Sequence, residues 1–238
     1  MTRRQVPGGG TAAGTRGRVT EASPGRVNQK QRTRMAIVEA TRKLARRGAE
    51  ISMPAVAREA LVSEATAYRY FPDLATVLRE ADDGRWPSPA EALKPVADSD
   101  DPVERVAFAT EYLLRGVLNY QNAVRVMISA SITKPPTAAA RPGHRFGLID
   151  HALAPLDRTL GQTDPGALAQ LRRDLAVVMS AEALFSLMDL CGLPPEDAIA
   201  SGVQTARTVT RAAVAAAEGG PSGAVAGDRE GPGTRDDS

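Results

Sequence analysis

The chain has 238 residues, enough for one large or two modest domains with self-sufficient cores, which excludes a peptide or a disulfide-stapled mini-protein. Apolar residues make up 42 %, yet there are only one Trp, four Tyr and four Phe, and the dominance of Ala, Leu and Val favours helix over sheet. The single cysteine, Cys191, excludes an intrachain disulfide, a cysteine zinc site or an iron–sulfur cluster built within one chain, and the net charge of +2 says little until its distribution is read.

That distribution is uneven. Met1 to Arg34 carries eight basic residues and one acid, Glu21, the electrostatic footprint of a nucleic-acid binder. Residues 1–27 are rich in Gly and poor in large apolar side chains, so they read as a disordered basic arm, and residues 219–238 read as a disordered tail. No apolar core of a secretory signal and no membrane-length apolar run is present, so the expectation is a soluble, cytoplasmic protein without a membrane partner.

Between the tails the apolar spacing is helical throughout, predicting an all-α fold. Asn28 and Gln31 have the form of a capping box opening a helix over about Gln29 to Arg47, with Gly48 as its stop. Ser52 is a cap with Pro54 in the first turn, giving a short helix over Met53 to Glu59. Ser63 caps a third helix, Glu64 to Tyr70, which Pro72 ends, and Asp73 caps a fourth reaching about Asp82. A loop over Gly84 to Pro102 follows, then helices over Pro102 to Leu118, Tyr120 to Ile132 and Gly143 to Leu160. Leu168, Leu171, Leu175, Val178, Phe185 and Met188 fall near one face of a single long helix ending at Gly192. Pro194 and Pro195 start the last helix, whose Ala198, Val203, Ala206, Ala213 and Ala217 form a small-residue face.

Two short helices joined by Ala60 to Val62, with a Ser cap on the second, have the layout of a helix-turn-helix. Val56, Ala57, Val62 and Ala67 would pack the pair together, with Phe71 in the core, leaving Glu64, Ala65, Thr66 and Arg69 toward the major groove. Helix starts at Ser52 and Ser63 offer backbone N–H groups to phosphate; Tyr68 can donate to phosphate, and Arg69 can reach guanine edges or backbone. The predicted DNA-contacting set is Ser52, Ser63, Glu64, Ala65, Thr66, Tyr68, Arg69 and Tyr70.

The stretch from Ile37 to Leu78 resembles the DNA-binding domain of TetR family transcriptional regulators through Gly48, Val56, Ala57, Ala60, Val62, Ser63, Thr66, Tyr68, Tyr70, Phe71 and Leu78. It departs from the family pattern at Leu61, where a turn glycine is usual, at Ala65, where a second glycine is usual, and at Leu74, where relatives place a phosphate-binding Lys. The resemblance implies a helix-turn-helix domain over residues 28–82 and a larger helical regulatory and dimerisation domain over 83–218, whose last two long helices pair with those of a second copy. It also implies a homodimer reading a palindromic operator in double-stranded DNA, and a repressor released by a small-molecule effector.

Family pockets are lined by helices that here carry Phe108, Tyr112, Arg115, Tyr120, Arg125, Met127, Phe146, His151, Met179 and Phe185, of which Tyr112, Arg125, Phe146 and His151 are the predicted ligand contacts. His144 and His151 share a helix face and with Asp150 offer only a weak metal-ligand pattern, and Cys191 reads as a buried helix-end residue. No catalytic residue, metal site or cofactor is predicted: no phosphate-cradling Gly loop, nucleophile elbow or HExxH motif is present. The competing class is a helical scaffold with a degenerate DNA-binding domain, suggested by Leu61 and Leu74.

Overall fold

The computed structural model describes residues 24–133 and 143–218, with side chains from residue 28 onward in the first segment; the predicted arm and tail lie outside the described residues, apart from the backbone of 24–27. Among the described residues all regular structure is helical, in twelve α-helices and two 3₁₀ segments.

Helices α1 (Pro24–Arg46), α2 (Met53–Glu59), α3 (Glu64–Tyr70) and α4 (Leu74–Asp82) come first. The capping-box reading of Asn28 is overturned, because α1 runs through it and begins at Pro24, where a missing N–H costs no helical bond. The C-terminal end is as read: Gly48 has φ +61°, and the Ala49 N–H returns to the Leu44 carbonyl. The caps of the next three helices also stand where the sequence places them. Ser52, Ser63 and Asp73 accept from the N–H groups of Ala55, Thr66 and Thr76 respectively. One core joins these four helices around Ile37, Val56, Phe71 and Val77.

The predicted loop after α4 contains α5 (Pro89–Ala92) and a 3₁₀ segment, Lys94–Val96. Ser88 and Glu91 form a complete capping box there, which suffices for one turn on Pro89. Helices α6 (Pro102–Asn119) and α7 (Gln121–Thr133) match expectation to within a residue or two. The helix expected over Gly143 to Leu160 is instead α8 (His144–Ala152), a 3₁₀ segment over Ala154–Arg158 and α9 (Leu160–Thr163). Pro155 explains the break, since it lacks the N–H and its ring opposes the carbonyl four residues back.

The long helix expected up to Gly192 is also divided, into α10 (Pro165–Val178) and α11 (Ala181–Asp189). Ser180 takes extended backbone angles, accepts from the Ala183 N–H and donates to the Val177 carbonyl, a local bonding pattern that replaces helical continuation. Cys191, expected buried, is exposed in the turn beyond α11, because the chain turns outward to Gly192 at φ +70°.

Helix α12 (Pro195–Glu218) lies along α6, its most extensive partner. Ala198, Ile199, Gly202, Ala206 and Thr210 form the buried stripe, and Gly202 leaves so little room that an added Cβ would stand 2.8 Å from Leu114 Cδ1. Of the predicted small-residue face, Ala198 and Ala206 serve this intrachain contact, whereas Ala217 is exposed. Leu168, Leu171 and Leu175 are likewise buried in the chain's own core, against α6, α8 and α12.

Trp86 fastens the segment after α4 to this helical body. Its indole meets Tyr112 edge-on at 6.2 Å and stacks on His144 at 4.7 Å, and it occupies the space beside Gly116 where any Cβ would overlap it. Arg85 lies between the rings of Trp86 and Tyr120, 4.5 and 3.9 Å from their centroids, and is paired with Asp82. Deeper in the body Arg105 is 5 % exposed and donates to the carbonyls of Val96, Ala97, Ser99, His151 and Ala152.

Candidate nucleic-acid interface

Helices α2 and α3 pack through Val56, Ala57 and Ala67, all essentially inaccessible, with Val62 against the same cluster. This burial fixes which side of α3 faces outward. Glu64, Ala65, Tyr68 and Arg69 are exposed, and Thr66 and Tyr70 are half-buried. Seven of the eight sequence-predicted contact residues, Ser63 to Tyr70 without Ala67, thus lie along one short helix and its cap, while Ser52 stands apart at the start of α2.

Their local bonding sorts them. Ser63 Oγ accepts from the Thr66 N–H at 3.1 Å and lies 2.9 Å from Thr66 Oγ1, so its hydroxyl is engaged in starting the helix. Ser52 is half-buried and caps α2 at 3.3 Å from the Ala55 nitrogen. Tyr68 is 50 % exposed and directed away from the core. Arg69 is exposed, with its guanidinium 5.6 Å from the ring centroid of Tyr70, whose own ring packs on the N-terminal core.

The turn between the helices is strained at the position where the family pattern has a glycine. Leu61 has φ +56° and is 92 % exposed, the sole non-glycine residue at positive φ among the described residues. Its N–H reaches the Arg58 carbonyl and that of Val62 the Ala57 carbonyl, so the geometry is imposed by the turn. Leu61→Asn removes an exposed apolar group and places a residue that tolerates this region. It is expected to raise stability by about 1 kcal/mol, read as a higher midpoint in denaturant.

Arg34 belongs to the basic N-terminal run by sequence but is held internally. Its guanidinium pairs with Glu80, donates to the Tyr70 carbonyl and lies 4.4 Å from the Phe71 ring centroid, tying α1 to α4 and to the end of α3. Leu74, where the family pattern places a Lys, packs partly buried against the same core.

The four predicted ligand contacts do not converge. Tyr112 packs on Trp86, and burial raises its hydroxyl above the ordinary tyrosine pKa. Arg125 is bound by both nitrogens to Asp189, at 2.5 and 2.8 Å, and stacks over Phe185; that hydrogen bonding raises its pKa and lowers that of Asp189. Phe146 is half exposed, and His151 is half-buried with its carbonyl accepting from Arg105. A cavity of about 310 Å³ lies elsewhere, between α1, α4 and the start of α7, lined by Arg42, Arg46, Asp82 and Arg85 among others. Of its lining only Tyr120 and Met127 were among the pocket residues expected from sequence, since Arg42 and Arg46 four apart on a helix carry no signal of their own.

His144 Nε2 is buried without a hydrogen-bond partner, and desolvation lowers its pKa below 6.5, against a raising influence from Asp82 and a lowering one from Arg85. A depressed histidine contributes stability that is present above its unfolded value and is lost as pH falls through the folded one. The melting temperature is therefore expected to drop as pH falls below about 6.5, and to drop less in His144→Phe, which keeps a ring on Trp86.

Residues 37–81 match the family model described as bacterial regulatory proteins, tetR family. No curated protein matched the chain in a parallel comparison. The matched span covers the end of α1, both helices of the helix-turn-helix and nearly all of α4, including every one of the outward residues of α3. Among the described residues, no helix is long and apolar enough to cross a membrane. By residues 37–81 this chain carries the DNA-binding domain of the tetR family, and it is a DNA-binding transcriptional regulator.

Proposed function

We propose that the protein is a cytoplasmic repressor that binds a palindromic operator as a homodimer and is released by a small-molecule effector. The observation that carries this reading is the surface of α3: Ala67 anchors the helix while Ala65, Tyr68 and Arg69 stand clear of the chain's own packing. In this reading residues 28–82 form the DNA-reading domain and 83–218 the regulatory and dimerising one. Ser63 presents the start of α3 to a phosphate, Tyr68 donates its hydroxyl to the backbone, and Arg69 contacts backbone or a guanine edge. A dimer would set two copies of α3 about 34 Å apart, one DNA turn, or a multiple of it. An effector then acts only through unequal affinity for the DNA-competent and DNA-incompetent arrangements.

Genomic fragments selected by the purified full chain at near-physiological salt should yield a palindromic motif. On that site Tyr68→Phe and Arg69→Ala should each weaken binding by roughly 1–3 kcal/mol, about five- to 150-fold, with the oligomeric state in sedimentation unchanged. Enrichment without a motif would favour the scaffold reading, for which Leu74 in place of a phosphate-binding cation is the specific observation.

A further inference from the structure

The cavity between α1, α4 and α7 is amphipathic. Its inner wall is apolar, with Leu78, Ala81 and Ala123 nearly inaccessible, and charged groups gather toward its more exposed side. At about 310 Å³ it lies at the small end of the range for ligand pockets, roughly 300–1,000 Å³.

The charged side carries Arg42, Arg46 and Arg85. Each guanidinium offers five N–H groups. Arg42 commits Nε to the Ala81 carbonyl and one terminal nitrogen to that of Asp83, leaving the other 3.8 Å from Glu39. Arg46 commits one nitrogen to Glu39 at 2.8 Å, and among the described residues no other protein acceptor takes its remaining N–H groups. Arg85 is closed off by its two rings and Asp82 and serves as wall. Paired N–H groups of this kind bind a carboxylate well. Glu39, Asp82 and Asp83 balance the three arginines, so the lining is neutral in sum and disfavours a phosphate or a dicarboxylate.

We propose that this cavity binds a small organic monocarboxylate, its apolar body against Leu78 and Ala123 and its carboxylate on Arg42 and Arg46. The inference rests on the effector-responsive reading above for its biological sense, but not for its test. A ligand here touches the first and fourth helices of the DNA-reading module and the body helix α7 together, so its occupancy bears on how the two are set.

The test is calorimetric titration of the full chain, without DNA, using cinnamate and octanoate as probes and cinnamyl alcohol and octanol as uncharged matches. At least one acid should bind saturably, one per chain, and at least tenfold more tightly than its alcohol. Arg46→Gln, a change on an exposed helix face, should weaken the acid about tenfold and leave the alcohol unaffected. Ala45→Phe, which fills the cavity, should abolish binding with the helical circular dichroism retained. Failure of both acids to bind saturably, or equal binding by Arg46→Gln, overturns the proposal; if Ala45→Phe does not fold, the Arg46 result decides alone. Operator binding is measured separately, so its failure would overturn the regulator reading and leave the cavity result standing.

Discussion

Arg105→Ala is expected to lower stability by about 3–5 kcal/mol, lowering the melting temperature by on the order of 10 °C for a chain of this size. Its guanidinium gathers the end of the Lys94–Val96 turn and the end of α8 onto α6, and among the described residues it pairs with no carboxylate. Removing it strips the carbonyls of His151 and Ala152 of this donor and leaves that of Val96 with only the Ser99 N–H, in a place water reaches poorly, and also leaves a cavity. Arg105→Lys keeps the charge but has three donors on one atom, which cannot reach carbonyls on both sides at once, so it should recover only part of the loss. Thermal denaturation of the three proteins checks this; an alanine variant within 1 kcal/mol of wild type would show that neighbouring groups replace the guanidinium.

Gly116→Ala should cost about 1–3 kcal/mol although it adds a single methyl to a helix, where Ala is otherwise the better residue by about 1 kcal/mol. The methyl would overlap the indole of Trp86, which has Tyr112 and His144 on its other sides and cannot retreat without losing its ring contacts. The decisive measurement is a double-mutant cycle with Trp86→Ala. In the absence of the indole the Gly116→Ala change should become neutral or stabilising, giving a coupling energy of about 1 kcal/mol or more. Additive costs would place the effect in α6 itself. Trp86 follows directly on α4, so the same variants should alter operator affinity if the seating of the indole sets the DNA-reading module on the body.

The readable parts of this fold are those whose causes lie close in sequence. Ser52, Ser63 and Asp73 each bond to an N–H three residues ahead, which is why α2, α3 and α4 could be bounded from residue types alone. The positive φ at Leu61 was legible for the same reason, since the turn chemistry is local. The break at Ser180 was not read because Leu168 to Met188 keeps a helical period across the interruption and periodicity does not register a change of axis, and the one at Pro155 was passed over although a proline is a visible breaker. Arg105 and Trp86 were illegible in a different sense. Their partners lie as far as 47 residues away for Arg105 and Ala152 and 58 for Trp86 and His144, and an Arg in an amphipathic helix looks solvated until the fold closes over it. The cavity draws its lining from three separate segments, none of which carries a pattern of its own.

The joint between the two parts of the chain includes a contact of a particular kind. Asn122, at the start of α7, donates through Nδ2 to the carbonyls of Gly48 and Ala49, just beyond α1. Both acceptors are main-chain atoms, so this latch reads the shape of the turn after α1 and is blind to which side chains α2 and α3 display. A chimera that keeps the turn at Gly48 but carries another recognition helix would retain the latch. In the operator-binding reading, operator choice can therefore be exchanged or drift without refitting this contact, and the same C-terminal helices can govern a different set of genes.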